Sequence, residues 1–173
     1  MKRICLVLLL AVFAVGTAAP SANAIGIFAS WWTIDESNDD GFGGGLRSKT
    51  QIVPMVAIDT RVSWVKFSDT VDMSVFPIEA TGILKLGMLY AGIGVGYYIF
   101  SADDVDLENA FGWYLAGGIE VSLSKFGVWG EVKWTMLSPD IEGVDPDLGD
   151  VPTELDADGI GFNVGVMLGV PGM

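Results

Sequence analysis

The 173 residues carry 22 Asp plus Glu against 9 Lys plus Arg, a formal charge of −13, and no histidine. Such a chain lacks the clustered cations that phosphate contacts need, which excludes nucleic acid as a partner. The missing imidazole excludes His-based acid–base catalysis, Ser-His nucleophiles and imidazole metal ligation. The length fits one domain plus a removable segment.

At the N-terminus, Lys2 and Arg3 precede an apolar run from Ile4 to Val15 and small residues ending in Ala22-Asn23-Ala24. This is the pattern of a secretory signal peptide with an A-x-A-like cleavage site. Residues 1–24 are expected to be removed, leaving a barrel domain over 25–173. The twelve apolar residues are too few to span a bilayer comfortably. The only cysteine, Cys5, lies inside this segment, so the mature chain is expected to have no disulfide. No later apolar stretch approaches transmembrane-helix length.

From Ile25 onward the dominant period is two, the strand period. The first strand, Ile25 to Thr33, is apolar on both faces, and Ile25, Ile27, Ala29 and Trp31 are assigned outward. In the second, Leu46 and Ile52 oppose Arg47, Lys49 and Gln51. In the third, Val56, Ile58, Thr60, Val62 and Trp64 oppose Asp59, Arg61 and Ser63. The fourth sets Phe76, Ile78, Ala80, Leu84 and Leu86 against Glu79, Thr81 and Lys85. In the fifth, alternate residues from Leu89 to Ile99 are apolar or aromatic, and Tyr90, Gly92, Gly94, Gly96 and Tyr98 lie between them. The sixth runs from Phe111 to Leu123, with Gly112, Tyr114, Ala116, Gly118 and Glu120 on the second face. Val128, Gly130, Val132, Trp134 and Met136 oppose Glu131, Lys133 and Thr135 in the seventh. The eighth places Ile160, Phe162, Val164, Val166, Leu168 and Val170 against Gly161, Asn163, Gly165, Met167 and Gly169.

Tight turns at 53–55, 87 and 125–127 alternate with longer polar connections near 35–41, 68–74, 101–110 and 138–159. An even number of antiparallel strands, with short turns at one end and long loops at the other, is the outer-membrane barrel pattern. The expected fold is therefore an all-β, eight-stranded antiparallel up-and-down transmembrane β-barrel. Which face touches lipid is settled by two counts. Trp31, Phe42, Trp64, Phe76, Tyr97, Trp113, Trp134 and Phe162 lie near the long-loop end of their strands, as an interfacial aromatic girdle would. Arg47, Lys49, Asp59, Arg61, Glu79, Lys85, Glu120, Glu131 and Lys133 share the opposite face, and the remaining acids fall in the long loops. A soluble barrel would reverse this arrangement, placing charge outside.

The segments Phe76-Pro77-Ile78-Glu79-Ala80, Tyr90 to Tyr98, Phe111-Gly112-Trp113 and Gly130-Glu131-Val132-Lys133-Trp134 carry a resemblance. The chain resembles the small outer-membrane β-barrel family that includes the OmpA transmembrane domain and its opacity-type and OmpW-type relatives. The likeness runs from Ile25 to Val170. It implies a bilayer of the outer membrane as partner, handling by the outer-membrane assembly machinery, and both termini in the periplasm. It implies no single activity, because this scaffold hosts porin-like, adhesive, structural and enzymatic members. Members usually end in an aromatic residue that serves assembly, whereas this chain ends Val170-Pro171-Gly172-Met173.

Eight strands enclose a lumen that side chains just fill. The inward ions are expected to pair and, with Trp32, Tyr90, Tyr98 and Tyr114, to plug it. The alternative is a narrow gated path for ions or small solutes, for which inward glycines at 92, 94, 96, 161, 165 and 169 would leave space. Asp145, Asp147, Asp150, Asp156 and Asp158 are the densest acidic group, but their spacing does not match an EF-hand loop. No metal, cofactor or enzymatic activity is expected, and the surface ligand is left open.

Overall fold

The computed structural model describes residues 23–35, 39–68, 73–102, 108–123, 125–137 and 157–169. Residues 1–22 of the expected signal peptide, most of the loop acids and the last four residues lie outside them. The strands are β1 (Asn23–Ile34), β2 (Asp40–Val53), β3 (Val56–Phe67), β4 (Met73–Leu86), β5 (Leu89–Ala102), β6 (Ala110–Leu123), β7 (Phe126–Met136) and β8 (Gly159–Leu168). Each pairs antiparallel with the next, and β8 pairs with β1, so the sheet closes into a barrel with no free edge. The Gly87-Met88 turn shows why the connections are short at one end. Leu86 pairs with Leu89, and Gly87 takes φ 69°, a left-handed value that glycine adopts without steric cost.

The register fixes the barrel's dimensions. The partners of Asn23 run through Thr50, Ile58, Gly82, Ile93, Leu115, Trp134 and Ile160 to Thr33, so one circuit returns to β1 ten residues further on. Eight strands with that stagger must tilt by about 40° from the axis, which puts the backbone at a radius of about 8 Å. Side chains from opposite walls therefore meet. On β2, the stretch from Ile52 to Phe42 climbs about 25 Å along the axis. That is the height of a barrel's apolar band.

Burial alternates along most of each strand, the glycine run at 43–45 of β2 being the longest interruption. Inward residues such as Arg47, Asp59, Arg61, Glu79, Tyr98 and Tyr114 are buried, while Ile27, Leu46, Ile93, Val95, Val132 and Val164 are exposed on the outside. β1 follows the same alternation, with Ile25, Ile27, Ala29 and Trp31 outward.

Five strands run further into the expected long loops than periodicity suggested: β2 begins at Asp40, β4 at Met73, β6 at Ala110 and β8 at Gly159, and β5 reaches Ala102. The reason is packing. Phe67, Met73 and Phe100 turn inward at this end and join a buried cluster with Trp32, Ile34, Val65, Val75, Tyr98, Leu137 and Ala157, which rewards continuing the ladder. At the other end, β1 begins at Asn23, and Ala24 packs with Phe28, Trp129 and Met167. Gly169 is not an inward strand residue: it lies beyond β8, exposed, with φ 82°.

Candidate functional site

Nine charged side chains project from five strands into the lumen, where they form three layers. Nearest the short turns, Glu120 of β6 accepts hydrogen bonds from Lys85 Nζ at 2.8 Å and from Lys49 Nζ. In the middle layer, Asp59 accepts from Arg47 Nε at 2.9 and 3.0 Å and from Arg61 Nη2 at 2.6 Å. Arg61 also forms a two-pronged pair with Glu131, one prong being Nη2 to Oε2 at 2.7 Å. Tyr90 Oη and Asn163 Nδ2 donate to the same carboxylate at 3.0 and 3.1 Å. In the upper layer, Glu79 Oε1 accepts from Lys133 Nζ at 2.6 Å and from Tyr98 Oη at 3.0 Å. The five cations and four anions leave an excess of one positive charge.

The partners are not the ones that lie directly opposite in the sheet. Arg47 faces Arg61 across β2 and β3, and Lys49 faces Asp59. Asp59 sits diagonally between the two arginines and binds both, which removes the like-charge repulsion of the facing pair. Lys49, released from Asp59, reaches across the lumen to Glu120. Such pairs need complete hydrogen bonding to offset desolvation, and the described structure meets that demand nearly everywhere. Its exceptions are Arg47 Nη1 and Nη2, Trp32 Nε1, Trp129 Nε1 and Thr135 Oγ1, which are buried and have no protein partner among the described residues.

Aromatic rings fill the remaining lumen, and the inward glycines are their sockets. A Cβ on Gly94 would lie 2.6 Å from Tyr114 Cε2, one on Gly96 2.7 Å from Tyr98 Cε2, and one on Gly118 2.7 Å from Tyr90 Oη. At Gly165 it would meet Phe28 Cβ at 2.7 Å and Trp129 Nε1 at 2.9 Å, and at Gly92 it would meet Thr81 Cγ2 at 2.8 Å. The expectation that the inward glycines leave free space is therefore corrected at Gly92, Gly94, Gly96 and Gly165, each of which cedes its volume to a neighbouring side chain. Gly161 alone of that set has room, its nearest neighbour being Trp31 O at 3.5 Å. Cations lie over the same rings, with the Arg47 guanidinium carbon 4.0 Å from the Trp129 centroid and Lys133 Nζ 5.1 Å from that of Tyr114.

Above the ions, the ten-residue apolar cluster at the long-loop end caps the lumen. Sequence reasoning assigned Trp32 and Tyr98 inward but missed Val65, Phe67, Met73, Val75 and Phe100. Trp129, which stacks on Arg47, was also missed, although its parity with Glu131 and Lys133 places it inside.

On the outer face, the eight girdle aromatics stand one on each strand. Trp31 stands opposite both Phe42 and Phe162, with ring centroids 6.1 and 5.4 Å apart. Trp64 and Phe76 fall between the register pairs Val62–Ile78 and Val65–Val75. Tyr97 pairs with Phe111, two residues from Trp113 on the outer face of β6, and Trp134 pairs with Ile160, two from Phe162. At the barrel's tilt all eight lie within about 8 Å of one level. Seven are exposed and Tyr97 is half-buried.

No family model and no curated protein sequence matches the chain. Among solved structures, Neisserial surface protein A is similar in shape, with a TM-score of 0.68 over 86% of this chain and 97% of that one at 13% identity. The fold is that of a transmembrane β-barrel. A de novo designed transmembrane β-barrel covers 87% of this chain at TM-score 0.48 and 10% identity, aligning over 97% of its own length. The N-terminal β-barrel domain of Pseudomonas aeruginosa OprF covers 84% at 0.47 and 11%, aligning over 96% of its own length. These two are too distant in shape to add to the argument. Transmembrane barrels in general set exposed apolar rows against hydrocarbon and aromatic side chains at the headgroup boundary.

Proposed function

We propose that this protein is an outer-membrane barrel with a closed lumen, which holds acidic loops at the cell surface in a structural or surface-binding role. Its termini lie in the periplasm, and it has no catalytic task. The observation that carries the reading is the filling of the lumen. Three layers of paired ions, rings seated in glycine sockets and an apolar cap occupy a cylinder of about 8 Å backbone radius. Short turns at the end that holds both strand termini, and long acidic connections at the other, support the orientation.

Two measurements test this. Folded protein should migrate faster than boiled protein on a detergent gel, as a barrel that resists detergent does. Protein reconstituted in planar bilayers should give no resolved conductance steps across a range of voltages and salt concentrations. Reproducible small steps would replace the closed barrel by the narrow gated path.

A further inference from the structure

The short-turn half of the lumen contains more positive charge than its acids balance. Lys85, Lys49 and Arg47 stand at successively deeper levels from that end, and their side chains are 20%, 7% and 0% exposed. Facing them are Glu120, which both lysines share, and Asp59, which Arg47 shares with Arg61. Asp59 satisfies only Arg47 Nε. Both Nη groups are buried and have no protein acceptor among the described residues, and the same holds for Nε1 of Trp129, whose ring lies against that guanidinium. The unsatisfied groups in this stack are all donors, and buried donors demand an acceptor.

We propose that Arg47 and Trp129 form the inner end of a binding site for one small monovalent anion of halide type, reached from the short-turn end past Lys85 and Lys49. Charge fixes the valence, because in the two layers nearest the short turns Lys49, Lys85, Arg47 and Arg61 face only Glu120, Asp59 and Glu131, an excess that one anion neutralises. Space fixes the size. The Trp129 and Tyr90 rings lie 4.0 and 5.7 Å from the guanidinium carbon, so what the buried group still offers is its two Nη edges, unpartnered among the described residues, and these suit a single compact acceptor. The apolar cap closes the far end, so an anion can arrive only from the short-turn end, and in that respect alone the inference rests on the closed lumen.

The test uses the full chain, refolded in detergent with sodium bromide and crystallised. An anomalous bromide peak within hydrogen-bonding distance of Arg47 Nη is expected. Ordered water there, or no peak, overturns the proposal. In parallel, thermal melting is compared in chloride and in gluconate, which is too bulky for the site, at equal ionic strength. The melting temperature should rise with the logarithm of chloride concentration above saturation, and the same rise in gluconate overturns the proposal. Arg47→Met should abolish the chloride-specific shift. If that variant does not fold, Lys85→Gln at the mouth should move the chloride midpoint to higher concentration, and an unmoved midpoint counts against the site. Bromide occupancy does not depend on whether the barrel conducts, so failure here and failure of the closed-lumen reading are distinguishable.

Discussion

Glu131 is the acid on which the middle lumen layer converges, so its charge is the one to remove. Glu131→Gln keeps the side-chain volume and creates no cavity. It replaces a carboxylate that accepts from Arg61 twice, from Tyr90 and from Asn163 with an amide that turns donors toward donors. Breaking one side of a fully buried pair costs about 3–5 kcal/mol. The lower end, about 3 kcal/mol, is expected here because Arg61 keeps Asp59 at 2.6 Å. A double-mutant cycle with Arg61→Met isolates the pair and should give a coupling energy of about 2 kcal/mol. The same cycle on Lys85 and Glu120 should give less than about 1 kcal/mol, because Lys85 is partly exposed and Glu120 keeps Lys49. Reversible urea unfolding from lipid vesicles, followed by tryptophan fluorescence and gel migration, measures all four corners. A coupling below about 0.5 kcal/mol for Arg61–Glu131 would refute the claim that this pair is dry and specific.

Three further outcomes follow from the same geometry. Gly94→Ala should destabilise by about 1–3 kcal/mol, because the Tyr114 ring it would strike is held by a 2.6 Å hydrogen bond to Thr81; Gly161→Ala should stay within about 0.5 kcal/mol, and equal costs in urea titrations would contradict the socket assignment. Ile93→Arg, at mid-height on the outer face, should cost about 2–4 kcal/mol of folding free energy in vesicles and Leu168→Arg, near the end, under about 1; a mid-height arginine without cost would remove the lipid-facing assignment. Brominated lipids with the label near the headgroups should quench the girdle tryptophans Trp31, Trp64, Trp113 and Trp134 more than lipids labelled at the chain ends do. Single-tryptophan chains keeping Trp32 or Trp129 should respond to neither.

The barrel's inside-out character was legible because charge is scarce on these strands and obeys a period of two. Arg47 with Lys49, Asp59 with Arg61, and Glu131 with Lys133 each mark one face without reference to any partner. The partners themselves were not legible. Register across a short turn follows from counting, but Glu131 meets Arg61 and Lys133 meets Glu79 across the lumen, at a distance that depends on the stagger accumulated around the whole barrel. The glycines show the same limit. Gly94 lies opposite Tyr114, Gly118 opposite Tyr90 and Gly165 opposite Trp129, each pair joined through a long connection whose length leaves register undetermined. A glycine read alone as empty space is thus a seat for a ring supplied from elsewhere. The apolar cap escaped for a simpler reason: Val65 and Phe67, Met73 and Val75, and Phe100 are apolar residues on the otherwise polar inward face, beside polar connections where strand and loop could not be told apart.

The seam between β1 and β8 joins Ile25 to Leu168 and continues to Ile34 and Gly159, uniting the two ends of the described chain. Hairpins can zip early from their tight turns, yet each intermediate sheet keeps two rims of bare amides and carbonyls until this last pairing forms. Hydrocarbon tolerates no such rims. Insertion and closure must therefore be concerted, and a chain lacking either outermost strand would stall at the membrane surface instead of entering as a smaller cylinder.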